Sequence, residues 1–321
     1  MAELDLRVRL LGRLLGRLSI TTMDDARLAR MQQQSPGHNP VLDAVFGGVA
    51  PGVTLTEGTA AGAAGPVPVR TYRPAGPSSR RLPLVVNFHG GGWALGSLDG
   101  ADWLCSSVAA SVGAVVVSVA YRLAPAHRWP AAAEDCYAAL VDVVARAVDL
   151  GADPSRVAVM GDSAGGNLAA VVSLMARDRS GPALAHQALL YPATDLTLSS
   201  PSIEQNAHAP VLTQADCRAF RDHYLGGQDP RHPYASPLWA SDHSGLPPAL
   251  VQVAEHDPIR DDGLRYAAAM EAAGVPVRTS TYVGMPHGYL SFPKLCRSAP
   301  QALHELCTEL GQALVPAGAA A

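Results

Sequence analysis

The run Ala114-Val115-Val116-Val117-Ser118-Val119-Ala120 narrows the possible folds more than any other stretch of the chain. It is apolar at consecutive rather than alternate positions. Strands of that kind have both faces covered and belong to parallel sheets layered between helices. Shorter strand-like segments surround it: Val67 to Tyr72, Leu84 to Phe88, Arg156 to Met160, Ala188 to Tyr191, Ala249 to Ala254 and Val277 to Val283. Helical periodicity fills the intervals over Ala131 to Leu150 with Gly151 as its cap, Ala164 to Arg177, Asp261 to Ala273 stopped by Gly274, and Gln301 to Leu314. This alternation predicts an α/β fold with a mostly parallel sheet covered on both sides.

Two stretches break the rhythm. Residues 31–65 are rich in Gln, Pro, Gly and Ala and read as a connection. Residues 195–244 are rich in Pro, His, Asp and Ser with one helical piece near Gln214 to Tyr224, and read as an insertion above the sheet. Ahead of them, Leu4, Leu11, Leu15 and Leu18 recur at helical spacing among Arg7, Arg9, Arg13 and Arg17. That segment lacks the continuous apolar core of a signal peptide or a membrane span. A basic amphipathic helix can lie on a membrane surface, but the reading preferred here packs its leucine face on the protein, where it joins the insertion as a lid.

Composition removes several classes of function. With 48% hydrophobic and 16% charged residues among 321, the chain can bury a large core. A net charge of −4 without a Lys/Arg cluster argues against nucleic acid as a partner. Cys105, Cys136, Cys217, Cys296 and Cys307 are odd in number, scattered, and never spaced as CxxC. They read as unbridged thiols in a reducing cytoplasm, with no metal site. Lys294 is the only lysine, which reads as the coding bias of a GC-rich, bacterial genome.

The chemistry centres on Gly161-Asp162-Ser163-Ala164-Gly165, a G-x-S-x-G motif with an apolar strand before it and a helix after it. The motif carries meaning only in that setting, where a strained strand-to-helix turn lifts the serine hydroxyl into a cleft. Ser163 is therefore the candidate nucleophile. His89-Gly90-Gly91-Gly92-Trp93 follows another buried strand, and its glycines allow backbone N–H groups to converge on a developing oxyanion. The expected oxyanion hole comprises Gly90, Gly91, Gly92 and Ala164, with Gly90 shaping the turn. The loop lacks the Lys-Ser/Thr of a P-loop and the spacing of a dinucleotide site. His89 is expected to brace the loop.

A serine hydroxyl needs an imidazole to activate it. In this fold the chain order runs Ser, acid, His. Asp257, at the end of the strand Ala249 to Ala254, is the candidate acid, and its rivals Glu255, Asp261 and Asp262 read as strand-end or helix-start carboxylates. His287, on a glycine-flanked loop after Val277 to Val283, is the candidate base. His256 is expected to point elsewhere, and His304 to sit on a helix surface.

Taken together, His89-Gly-Gly-Gly-Trp93, Tyr121-Arg-Leu-Ala-Pro125, Gly161-Asp-Ser-Ala-Gly165, Asp257-Pro-Ile-Arg-Asp261 and His287-Gly288 resemble the hormone-sensitive-lipase-like carboxylesterases of the α/β-hydrolase superfamily. The resemblance implies an eight-stranded sheet and a single domain over 1–321. Its catalytic core would span about 66–194 and 245–315, under a cap from about 1–55 plus 195–244. It implies hydrolysis of short- to medium-chain esters without metal or cofactor, and frequent homodimers. The chain departs from the usual pattern at Ser97, Ala126 and Ile259. Arg122, Asp135 and Asp162 are expected to share a supporting polar network. Two other readings stand beside the esterase. One is lipase, amide or lactone hydrolysis on the same residues. The other is a non-catalytic receptor for a small ligand, which the presence of His287 opposes. Trp93, Trp103, Trp239, Tyr191 and Phe220 are candidates to line the substrate pocket.

Overall fold

A computed structural model describes residues 4, 6–15, 19–33, 37, 43, 45–76 and 80–314. The parts of the expected cap and C-terminus outside those ranges, including the side chains of Leu15 and Leu18, lie outside the described residues. In chain order the elements are α1 (Leu6–Leu15), α2 (Asp25–Gln33), β1 (Val53–Gly62), β2 (Gly65–Pro74), β3 (Leu82–Phe88), α3 (Leu98–Val112), β4 (Val115–Val119), α4 (Ala131–Ala145), β5 (Ala152–Asp162) and α5 (Ala164–Asp178). They continue with β6 (His186–Leu190), α6 (Ser202–Gln205), α7 (Gln214–Leu225), β7 (Ala249–His256), α8 (Arg260–Ala272), β8 (Val277–Pro286) and α9 (Ala299–Leu314). The strands form one eight-stranded sheet in the order β1-β2-β4-β3-β5-β6-β7-β8. The pairs β1–β2 and β2–β4 are antiparallel, and the strands from β4 to β8 run parallel.

The consecutive apolar residues divide between two cores. Val115, Val117 and Val119 join Leu84, Val86, Phe88, Val157 and Val159 on one face, packed against α4, α5 and α8. Val116, Val85, Ala158 and Met160 face the other way, onto α3 and α9. Ser118 is buried with Asn87, whose amide donates to its hydroxyl at 3.0 Å.

Residues 53–62, expected to be a connection, form strand β1. Its side chains are mostly exposed, and its register with β2 runs unbroken from Val53 opposite Pro74 to Gly62 opposite Gly65. Backbone pairing rather than burial holds this edge, so hydrophobicity carried no sign of it. Helix α3 was also unread; Ser97 caps it by accepting from Gly100 N at 3.3 Å, and Gly113 closes it in the left-handed conformation. Helix α4 stops at Ala145 rather than Leu150, and a turn carries the chain to Gly151, where Ala152 N bonds back to Ala147 O.

The N-terminal elements fold over the insertion. Val8 and Leu11 of α1 are buried, and Gly12 lies against Pro210. Ile20, Met23 and Leu28 close on Ala94, with Ala219 and Phe220 of α7 packed against them. The Ser19 hydroxyl donates to Asp216, which also completes the capping box of α7 with Thr213. Among the described residues no helix is long and apolar enough to cross a membrane.

Candidate active site

Four parallel strands deliver the site from their C-terminal ends, the edge where open α/β sheets bind ligands. Strand β3 leads to His89-Gly-Gly-Gly, β5 to Ser163, β7 to Asp257 and β8 to His287. Ser163 has φ 57° and ψ −117°, outside the regions a side chain ordinarily allows. Its N–H donates to Leu190 O at 2.8 Å, and its carbonyl accepts from Asn167 N at 3.0 Å. Those bonds fix the turn. Gly165 is required by close approach, since a Cβ there would stand 1.9 Å from the Phe88 carbonyl oxygen.

His287 Nε2 lies 2.8 Å from Ser163 Oγ, and its Nδ1 lies 2.7 Å from Asp257 Oδ2. Asp257 is fully buried, and its other oxygen accepts from Ile259 N at 2.9 Å. Asn206 anchors the same turn through the Asp257 carbonyl at 3.0 Å. The competing residues are engaged elsewhere. Glu255 accepts from Gly284 N, Asp261 accepts from Ser202 N, and His304 is exposed on α9. His256 is buried beside Glu255.

Gly91, Gly92 and Ala164 line a cleft of about 220 Å³ together with Ser163 and His287. Gly92 adopts φ +59° under the Phe220 ring, which a Cβ would meet at 2.1 Å. Gly90 departs from expectation. Its N–H donates to Asp162 Oδ1 at 2.8 Å and is therefore committed to the protein rather than to an oxyanion. Burial pushes the Asp162 carboxyl up to about 6, against the pull of that N–H and of the His287 ring. The expected network of Arg122, Asp135 and Asp162 is also corrected. Arg122 pairs with Asp135 at 2.6 Å, and Asp135 also accepts from Ala63 N, whereas Asp162 serves the glycine loop.

His89 donates from Nδ1 to Gly90 O at 2.8 Å, and its ring stacks on Tyr121 with centroids 4.4 Å apart. Tyr121 in turn donates to the His89 carbonyl at 2.7 Å. Burial lowers the His89 imidazole to about 4, so it is neutral near neutral pH. Of the candidate pocket aromatics, Trp93 and Phe220 line the cleft. Trp103 and Tyr191 border a small side hole, and Trp239 stands outside both, donating to Asp195. Sequence reasoning missed the aliphatic wall of Leu196, Leu198, Val211, Leu212 and Ile259. Its residues are ordinary core types drawn from loops that converge only in three dimensions.

A strained serine at a strand-to-helix turn, an imidazole and a buried carboxylate in line behind it, and a glycine loop across the cleft define an α/β-hydrolase site. The sequence matches the alpha/beta hydrolase fold family over residues 85–291, and the chain belongs to that family, in its hormone-sensitive-lipase-like branch. It is 47% identical over 253 residues to Carboxylesterase NlhH of Mycobacterium tuberculosis, covering 77% of this chain and 79% of that one. Ethyl acetate hydrolase of Pseudomonas putida is 36% identical, with 77% and 79% covered. A hyperthermophilic esterase from the archaeon Pyrobaculum calidifontis superposes with a TM-score of 0.85 at 38% identity, covering 97% of this chain and 98% of that one.

Proposed function

We propose that this chain is a carboxylesterase that cleaves short- to medium-chain esters through an acyl-enzyme on Ser163. The observation that carries the reading is the in-line arrangement of Ser163 Oγ, His287 and Asp257 at 2.8 and 2.7 Å. With the Nδ1 proton held by Asp257, Nε2 accepts from the serine hydroxyl. As Oγ attacks the ester carbonyl, its proton passes to Nε2. The N–H groups of Gly91, Gly92 and Ala164 stabilise the tetrahedral oxyanion. Losing one such donor typically costs about 10²–10³ in rate. The intermediate collapses, the alcohol leaves with the proton from His287, and water repeats the sequence to release the acid and restore Ser163.

The cap is assigned to residues up to about 52 and to 195–244, whose α7 places Phe220 over Gly92; Val53 to Leu55, counted in the expected cap, belong to β1 instead. A cleft of about 220 Å³ lies below the roughly 300–1,000 Å³ common for drug-sized ligands, which favours short acyl chains over long ones. That none of the five cysteines is bridged suits a cytoplasmic enzyme. A homodimer remains part of the proposal on family grounds alone.

The test is a p-nitrophenyl ester series of increasing acyl length on wild type and Ser163→Ala. Activity is expected to peak at short to medium chains, and Ser163→Ala to lose at least about 10⁴-fold in kcat. Equal rates for the two proteins would overturn the assignment, and a rise toward long chains at a lipid interface would favour a lipase.

A further inference from the structure

Among the described residues, six other than glycine have φ in the left-handed region, and four of them line the cleft: Trp93, Ser163, Leu198 and Val211. Backbone strain gathers at functional sites where the surroundings enforce it. Ser163 is the nucleophile, and Trp93 follows the oxyanion glycines. Leu198 and Val211 both lie in the insertion, and the chemistry derived above uses neither. Val211 is the more unusual of the two. Its φ is +75°, where a β-branched side chain crowds its own backbone.

The loop that carries it is pinned on three sides. Asn206 donates to the Asp257 carbonyl at 3.0 Å and ties the loop to the catalytic acid. Pro210 lies against α1, where a Cβ on Gly12 would stand 2.3 Å from the proline Cβ. Thr213 caps α7 by accepting from Asp216 N at 3.1 Å. Two backbone bonds close the turn, Ala209 N to Asn206 O at 2.9 Å and Gln214 N to Ala207 O at 3.0 Å. Between these anchors Val211 is half-buried against the apolar cluster of Leu290 and Phe292, and it keeps surface in the cleft. Its Cγ1 closes the space over Gly288. A Cβ built on that glycine would meet, outside its chain neighbours, only this methyl, at 3.9 Å. The gap between them is therefore about the width of one methyl group.

When the ester breaks, the leaving oxygen takes its proton from His287 Nε2 and so sits within hydrogen-bond reach of that nitrogen. The alcohol part of the substrate then occupies the side of the cleft formed by His287 and Gly288. We propose that Val211 is a specificity-determining residue that bounds the alcohol part, admitting a primary alcohol and excluding one branched at the carbon bonded to oxygen. The inference rests on the esterase reading and adds a substrate class to it: esters of unbranched primary alcohols. The strained backbone is the means, since an ordinary φ would turn the Val211 methyls away from Gly288.

The test measures kcat/KM by pH-stat for ethyl, isopropyl, n-butyl and sec-butyl acetate, each divided by the ester's alkaline hydrolysis rate constant. Wild type is expected to favour ethyl over isopropyl, and n-butyl over sec-butyl, by about tenfold or more, the scale of one misplaced methyl group in a pocket. Val211→Ala and Val211→Gly should lose most of that discrimination, while both keep the wild-type optimum in the p-nitrophenyl acyl series. If one of them does not fold, the other decides. The glycine variant should melt no lower than the alanine variant, because glycine takes a positive φ without strain. A lower melting point would show an unstrained backbone and overturn the proposal. So would an absence of discrimination in wild type, discrimination kept in the variants, or a shifted acyl optimum in its place, each leaving the esterase intact. Equal activity of wild type and Ser163→Ala removes both readings together.

Discussion

Asp162 sits beside Ser163 and spends its carboxylate on the Gly90 N–H, so the residue next to the nucleophile shapes the loop opposite it. The arrangement has a thermodynamic signature. Its folded pKa of about 6 lies above the ordinary aspartate value of 3.8, so between those values the folded chain holds a proton that the unfolded chain has lost. Asp162 therefore contributes most to stability below about pH 4, and that contribution declines as pH rises through about 6. Asp162→Asn keeps an acceptor for Gly90 and removes the titration. Relative to wild type it should gain on the order of 1–3 kcal/mol between pH 4 and pH 8, measured by urea unfolding at each pH. A difference independent of pH would show that Asp162 is not titrating there. Activity should fall even so, because the His287 ring lies in the field of that carboxylate.

At the scale of elements, α7 links the N-terminus to the glycine loop. Asp216 joins three contacts: the Thr213 backbone N–H at 3.0 Å, the Thr213 hydroxyl, and Ser19. Asp216→Ala should cost about 1–2 kcal/mol through the lost cap. By loosening Phe220 over Gly92 it should raise KM several-fold with a smaller change in kcat; an unchanged KM would separate α7 from substrate binding. The central elements were legible because burial on both faces writes itself into consecutive valines, and the strand–serine–helix turn into its glycines. Strand β1 was not, since an exposed edge held by backbone bonds leaves no apolar pattern, and its Thr, Gly and Ala residues suit a loop as well. Helix α3 did carry signals, Ser97 at one end and Gly113 at the other, obscured by Gly100 and by two aspartates and three serines among the apolar residues. Gly90 was misplaced because a glycine run says that backbone can approach, not which N–H an adjacent carboxylate will claim.

Across the whole molecule, two apolar layers on either side of one sheet carry the fold without a covalent staple. A reductant such as dithiothreitol should therefore leave the thermal midpoint where it is, since there is no disulfide contribution of about 2–5 kcal/mol to lose. A clear downward shift in a melting curve would contradict this. The placement of functional groups on four strands has a further consequence for how the molecule comes into being. Ser163 and its glycine loop leave the ribosome well before Asp257 and His287, and β7 and β8 pair with the sheet last in chain order. A nascent chain holds a nucleophile with neither base nor acid. Its chemistry stays silent until β7 and β8 dock, so turnover itself reports that those two strands have joined the sheet.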